Sequence, residues 1–177
     1  MRAISTKIPE VKILHLEHFD DDRGTFVRHW DKALWETNGI GPFVQDNVSV
    51  SAPGVLRGLH FQHGTPQGKL LSVMAGTIFD VAVDIRPGSA SFGEWVGVQL
   101  SAGDHQQIWV PPGFAHGFCV IEGPATIHYR CTSAYVPDAQ GGVRWDDPDL
   151  DISWPVTAPV LSERDAVLPP LSALRSA

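Results

Sequence analysis

Hydrophobic and polar residues alternate along most of this chain in short runs, the pattern of half-buried β-strands rather than helices. Residues 77–84 are the clearest case: Phe79, Val81 and Val83 fall on one face, Ile78, Asp80, Ala82 and Asp84 on the other. The two carboxylates are expected in solvent or paired with basic neighbours. Residues 43–51 alternate as well, with Phe43, Gln45, Asn47 and Ser49 against Val44, Asp46, Val48 and Val50. The Gln/Asn/Ser face could point to solvent or line a polar pocket. Further strands are expected over 11–14, 25–30, 56–62, 69–74, 94–100, 107–110, 115–121 and 125–135, with turns at 20–24, 53–54, 75–76, 86–89 and 111–113. Asp31 is placed to cap a short helix through Glu36, ended by Asn38-Gly39, and Ser162 to cap another at 162–165. The last residues are expected to be loosely held. About ten short strands with almost no helix describe an all-β sandwich or barrel.

Composition narrows the class. A chain of 177 residues suits one domain over 1–177, with a core over about 9–165 and a tail over 166–177. Its 43% hydrophobic and 19% charged content is that of an ordinary globular protein. No apolar run reaches membrane-span length and the N-terminus has no signal-peptide pattern, so no membrane partner is expected. Cys119 and Cys131 both lie in apolar strand-like runs. Reduced, buried thiols in a cytoplasmic protein are expected rather than a disulfide framework. A net charge of −7 argues against nucleic acid as partner. An anionic ligand would need a local basic cluster to override that field.

Such a cluster lies in the stretch Gly54-Val55-Leu56-Arg57-Gly58-Leu59-His60-Phe61-Gln62 and in Gln67-Gly68-Lys69 behind it. His60 is a candidate proton-transfer base, and Arg57 and Lys69 could hold an anion or polarise a carbonyl. Strict alternation puts Arg57 and His60 on opposite faces; they share a pocket only if the strand bends, and Gly58 could permit a bulge there. Lys69 shares a face with Leu71 and Val73, and could instead snorkel out at the rim. His60, His63 and His116 could in principle ligate a metal, although the short-range ligand pair of metal-binding jelly rolls is missing. His116 could equally be a core histidine bonded to backbone. Tyr129 and Tyr135, the only tyrosines, could act as general acid or aromatic platform. The six tryptophans fit core or interface packing. Asp165 matters only if the tail folds back to orient a histidine.

The ordered set of motifs is more specific than any one of them. It comprises Phe43-Val44-Gln45-Asp46-Asn47-Val48-Ser49, the two basic stretches, Phe79-Asp80-Val81-Ala82-Val83-Asp84-Ile85-Arg86 and Pro112-Gly113-Phe114-Ala115-His116-Gly117-Phe118. Trp145-Asp146-Asp147-Pro148, Trp154-Pro155 and Leu161-Ser162-Glu163-Arg164-Asp165 follow. From about Pro9 to Asp165 the chain closely resembles the dTDP-4-dehydrorhamnose 3,5-epimerase family of the cupin superfamily. The resemblance implies a cupin-type jelly-roll β-barrel with a few short helices, a homodimer, no metal and no cofactor. It implies a nucleotide-linked 4-keto-6-deoxyhexose as substrate, inverted at C3 and C5 through enolates. It makes His60 the base, Asp165 its dyad partner, Lys69 the enolate stabiliser and Tyr129 the acid. It places Arg23, Gln45, Asp46, Asn47, Arg57, His116, Tyr135 and Arg164 at substrate-contacting positions, with Tyr135 stacked on the base. Arg28, Ala134 and Gln140 depart from the common pattern, where Glu, an aromatic residue and Glu are usual. Relatives inverting C3 alone make that the alternative reading, with a metal-dependent cupin enzyme or a binding module without catalysis further off.

Overall fold

A computed structural model describes residues 1–176. The strands are β1 (Arg2–Ser5), β2 (Lys12–His15), β3 (His18–Asp21), β4 (Gly24–Val27), β5 (Gln45–Ser51), β6 (Leu56–Gln62), β7 (Lys69–Asp84), β8 (Trp95–Ser101), β9 (Gln106–Val110), β10 (Phe114–Cys131) and β11 (Gln140–Gly142). The single α-helix among the described residues, α1 (Lys32–Thr37), has the expected ends: Asp31 accepts from the Leu34 N–H, and Asn38 closes it. β3 and β4 form a separate hairpin; the rest join in the order β1-β2-β9-β7-β10-β6-β11, with β8 on β7 and β5 on β10. This is a cupin-type jelly-roll β-barrel.

Two long antiparallel strands form its spine. β7 and β10 pair along nearly their whole lengths, and both bend. The turn expected at 75–76 is instead a bend inside the 16-residue strand β7. Gly76 supplies it with φ +77°, where a Cβ would lie 2.5 Å from the Glu122 carbonyl oxygen. The strands expected over 115–121 and over 125–135 likewise fuse into the 18-residue β10, which stops at Cys131. Beyond the bends each long strand changes neighbours: β7 pairs with β9 near Lys69 and with β8 near Asp84, and β10 with β6 near His116 and with β5 near Tyr129. The one large sheet thereby folds over on itself around a single interior.

Leu71, Val73, Ile78, Ala82, Phe118, Val120 and Ile127 fill that interior. The outer faces are covered in turn. Leu14, Leu16, Trp35, Ile40, Leu70 and Trp109 pack under α1, and Leu59, Val81, Val83, Ala115, Val143, Leu150 and Leu171 under the C-terminal segment. Leu171 is 0% exposed, so the end of the chain is docked rather than loosely held; Ala177 lies outside the described residues. Burying a leucine of this size contributes about 2 kcal/mol, enough to fix the segment. Cys119 and Cys131 are free and buried, as expected. No helix among the described residues is long and apolar enough to cross a membrane.

Candidate active site

The site begins with a bulge in β6. His60 pairs with His116 and Arg57 with Phe118, so three residues of β6 step past two of β10. The extra residue turns Arg57 and His60 to the same side, against strict alternation. Gly58 permits it: at φ +120°, a Cβ there would lie 2.7 Å from both the Gly117 Cα and the His116 carbonyl oxygen. Arg57, His60, Lys69, His116, Phe118, Tyr129 and Ser49 line one cavity of about 160 Å³. Lys69 turns into this cavity rather than out at the rim. The Arg57 Nε donates to the Ser51 Oγ at 3.0 Å, which aligns its guanidinium.

The tail does fold back. The Ser162 hydroxyl accepts from the Asp165 N–H at 3.0 Å and starts a single 3₁₀ turn, Asp165–Val167, shorter than the helix the sequence suggests. That turn aims Asp165 at His60, whose Nε2 lies 2.6 Å from Oδ1. Asp165 is buried. Burial raises its pKa, but the bonds from His60, Ser162 and the Gly58 backbone outweigh that and hold it below the ordinary carboxylate range. An ionised Asp165 accepts the His60 Nε2–H, leaving the Nδ1 lone pair as the basic atom.

Burial acts on the other groups. It lowers the Lys69 amine, opposed by Cys131 and Asp80. It raises the Tyr129 phenol, with Cys131 adding to the rise and Arg57 opposing it. It lowers His116, although Asp80 pulls the other way. His116 is bonded to the Asp80 carboxylate at 2.9 and 3.1 Å, not to backbone. Both Asp80 and Asp84 are buried and paired, so the solvated alternative fails.

A second hollow of about 280 Å³ shares Arg57 and His60 with the first and adds Gln140, Arg164 and Asp165. Polar contacts run along its rim. Arg164 donates to the Gln140 backbone carbonyl at 3.1 Å, and Tyr135 Oη donates to Gln140 Oε1 at 2.7 Å. The Tyr135 N–H donates to Gln45 Oε1 at 2.7 Å, and Gln45 Nε2 to Asn47 Oδ1 at 3.0 Å. The polar face of β5 therefore turns inward.

Two expected contacts are not brought to the site. Asp46 lies on the outward face of β5, paired with His128 and Arg130, because its position is odd relative to Gln45 and Asn47. Arg23 sits on the β3–β4 hairpin with its side chain 89% exposed, paired with Asp21. His63 is exposed and its ring packs on Phe61, apart from His60 and His116. Among the described residues no three His, Cys, Asp or Glu side chains are arranged to hold a metal ion. Of the departures, Arg28 pairs with Glu17 at 3.0 Å and the Ala134 carbonyl accepts from Gln62 Nε2. Sequence reasoning missed Ser49 as a site residue, although alternation put it beside Gln45 and Asn47. It also missed Asp80, which pattern alone cannot separate from Asp84.

The profile of the family described as dTDP-4-dehydrorhamnose 3,5-epimerase matches residues 5–173. The chain belongs to that family. Its relatives include the dTDP-4-dehydrorhamnose 3,5-epimerase of Escherichia coli, 48% identical over 93% of this chain and 91% of that one. The enzyme of the same name from Methanothermobacter thermautotrophicus is 45% identical over 96% and 94%. The dTDP-6-deoxy-D-glucose-3,5-epimerase of Legionella pneumophila, solved with dTDP-4-keto-L-rhamnose, superposes with a TM-score of 0.92 at 48% identity, over 97% of this chain and 93% of that one. A 3′-monoepimerase from Streptomyces bikiniensis, in complex with dTDP-quinovose, gives 0.88 at 32% identity, over 95% and 87%. As a member of this epimerase family the protein is an isomerase.

Proposed function

We propose that the protein converts dTDP-4-dehydro-6-deoxy-D-glucose to dTDP-4-dehydro-L-rhamnose by inverting C3 and C5. The observation that carries this reading is the His60–Asp165 pair, 2.6 Å apart, opening on a cavity that also holds Lys69 and Tyr129. A proton beside the C4 ketone becomes acidic when a cation receives the charge that develops on the ketone oxygen. His60 takes the C3 proton, the electron pair moves to O4 beside the Lys69 ammonium, and Tyr129 returns a proton to the other face. The same cycle at C5 completes the conversion. Atoms balance without redox chemistry: one proton leaves and one arrives at each carbon. Burial keeps the Tyr129 phenol protonated until it donates. Arg57 and Arg164, at the shared wall and the second hollow, suit the diphosphate, and Tyr135 at its rim suits the base.

A homodimer belongs to the same reading. Val48 and Val50 on the outer face of β5, and Val44 just before it, are 65%, 64% and 65% exposed, an apolar stripe that a second copy could cover. Such a copy would also give the outlying Arg23 a role at a site its own chain does not reach.

Proton NMR in D₂O with dTDP-4-keto-6-deoxyglucose tests the activity. Deuterium at both C3 and C5 with a rhamno product is expected; deuterium at C3 alone would make the enzyme a 3-epimerase. His60→Ala should abolish exchange at both carbons, and Tyr129→Phe should allow proton removal while slowing completed inversion by about 10²-fold or more. Full exchange in His60→Ala would remove His60 from the base role.

A further inference from the structure

His60 is not the only histidine in the cavity held by a buried carboxylate. His116, its register partner on β10, is bonded through Nε2 to Asp80, and Asp80 is 0% exposed. Asp80 is unusual in having so little around it. Asp84, four residues on along the same face of β7, accepts from Arg86, Ser89, Ser91 and the Arg86 backbone N–H. Among the described residues Asp80 has one donor, the His116 Nε2–H, toward which both of its oxygens turn. A buried carboxylate with a single neutral donor is costly unless a cation stands close by. Lys69 forms no ion pair with Asp80 within 4.0 Å, but it lines the same cavity as His116, to which Asp80 is bonded; the two charges attract across that ring, and His116 feels both.

We propose that Asp80 is a positioning residue for the reaction. It accepts the His116 Nε2–H, so that His116 turns its Nδ1 lone pair to the cavity, and it is the counter-ion that keeps Lys69 an ammonium. The inference rests on the epimerase reading and deepens it. Seen this way the cavity has two His–Asp pairs with different duties. His60–Asp165 moves protons. His116–Asp80 presents an acceptor among donors, suited to a sugar hydroxyl, and supports the charge that receives the enolate.

The groups facing Lys69 set the sign of the test. Arg57 and His60 from β6, and His116, Tyr129 and Cys131 from β10, surround it; Asp165 lies behind His60, and Asp80 is on its own strand. Burial already lowers the Lys69 amine and Asp80 opposes that fall. Removing the carboxylate lowers it further. Activity that needs the ammonium is lost as pH rises through the Lys69 pKa, so the loss begins at lower pH in the variant.

The pH profile of kcat for Asp80→Asn, alongside wild type and Asp80→Glu, reads this directly. The expected result is a basic limb moved down by about one pH unit, a tenfold loss of kcat on that limb, with KM little changed. Asp80→Glu, which keeps the charge, should restore the limb. A profile of Asp80→Asn that superimposes on wild type, or one scaled down equally at every pH, would overturn the proposal. Imidazole ¹⁵N NMR of the wild-type protein at neutral pH gives a readout independent of activity and of whether the variants fold. His116 should show a protonated Nε2 and an unprotonated Nδ1; an imidazolium, or the opposite tautomer, would also overturn it. Failure of the epimerase reading would show separately, as absence of exchange in wild type.

Discussion

The two ends of β7 follow opposite rules. At the Asp84 end every charge is answered: the carboxylate accepts from Arg86 at 2.6 and 2.9 Å, from Ser89 at 2.6 Å and from Ser91 at 2.7 Å. Arg86 reaches on to Glu10 at 3.1 Å and lies over the Phe114 ring. Round the cavity that Lys69 enters from the other end, the groups are as well shielded but fewer of them are answered. The Ser49 hydroxyl is buried without a hydrogen-bond partner, and Asp80 has one donor. A satisfied buried network makes a strand end rigid, whereas unsatisfied polar groups round a cavity cost stability until a ligand fills them. The closed end anchors the barrel, and the open end is where the proposed chemistry has its room.

The sharpest way to break this comparison is Asp84→Ala. It leaves the half-buried Arg86 with Glu10 as its one remaining carboxylate and takes the acceptor from two serine hydroxyls. The expected loss is about 3–5 kcal/mol in the urea unfolding free energy. Exchange activity per folded molecule should stay near wild type, because Asp84 touches none of the cavity groups. A folded Asp84→Ala protein with collapsed activity would show that the two ends are coupled.

Acidification should produce a smaller effect with the same origin. Donors from Arg86, Ser89 and Ser91 outweigh burial and hold Asp84 well below the ordinary carboxylate range; Asp165 is lowered too. A carboxyl depressed in the folded state contributes stability that is present above its unfolded pKa of about 4 and is lost as pH falls below it. The urea midpoint should therefore drop between about pH 5 and pH 3, and Asp84→Asn should flatten that drop by about 1–2 kcal/mol. An unchanged slope in Asp84→Asn would mean that other carboxylates govern acid unfolding.

The two ends were not equally legible in the sequence. Period-two alternation over 77–84 gave the faces of β7 correctly, since Ile78 and Ala82 fill the interior and Val81 and Val83 the covered outer layer. Alternation says which residues share a face but not which face is inside. On β5 the polar face turned inward, because a cavity stands where a core would otherwise be, and Val44, Val48 and Val50 were left outside. Asp46 was lost to the site by that same parity. The β6 bulge contradicts periodicity outright, and only Gly58 hinted at it. Asp165 and Leu171 depend on where the tail returns, a long-range matter that local pattern does not carry. Residue type made His60, Lys69 and Tyr129 candidates and resemblance gave each its proposed role; their convergence on one cavity is a property of the fold.

The smallest predicted effect draws the contrast most finely. Ser49→Ala removes a hydroxyl that is buried, unpartnered and set in the cavity wall with His60 and Lys69. At the closed end, deleting a polar group strips partners and destabilises. Here the deletion removes an unmet hydrogen-bonding group and leaves no partner behind, so stability should hold or rise by up to about 1 kcal/mol. Function should move the other way, since a group kept unsatisfied in the empty cavity is free to bond the sugar. KM should rise about 5- to 10-fold, the size of one lost hydrogen bond, with a smaller change in kcat. Thermal unfolding and steady-state kinetics on the same preparation decide it. A Ser49→Ala protein that is less stable and kinetically unchanged would place this hydroxyl with the structural groups of the Asp84 end. One that is more stable but binds substrate more weakly would show stability given up at the open end for binding.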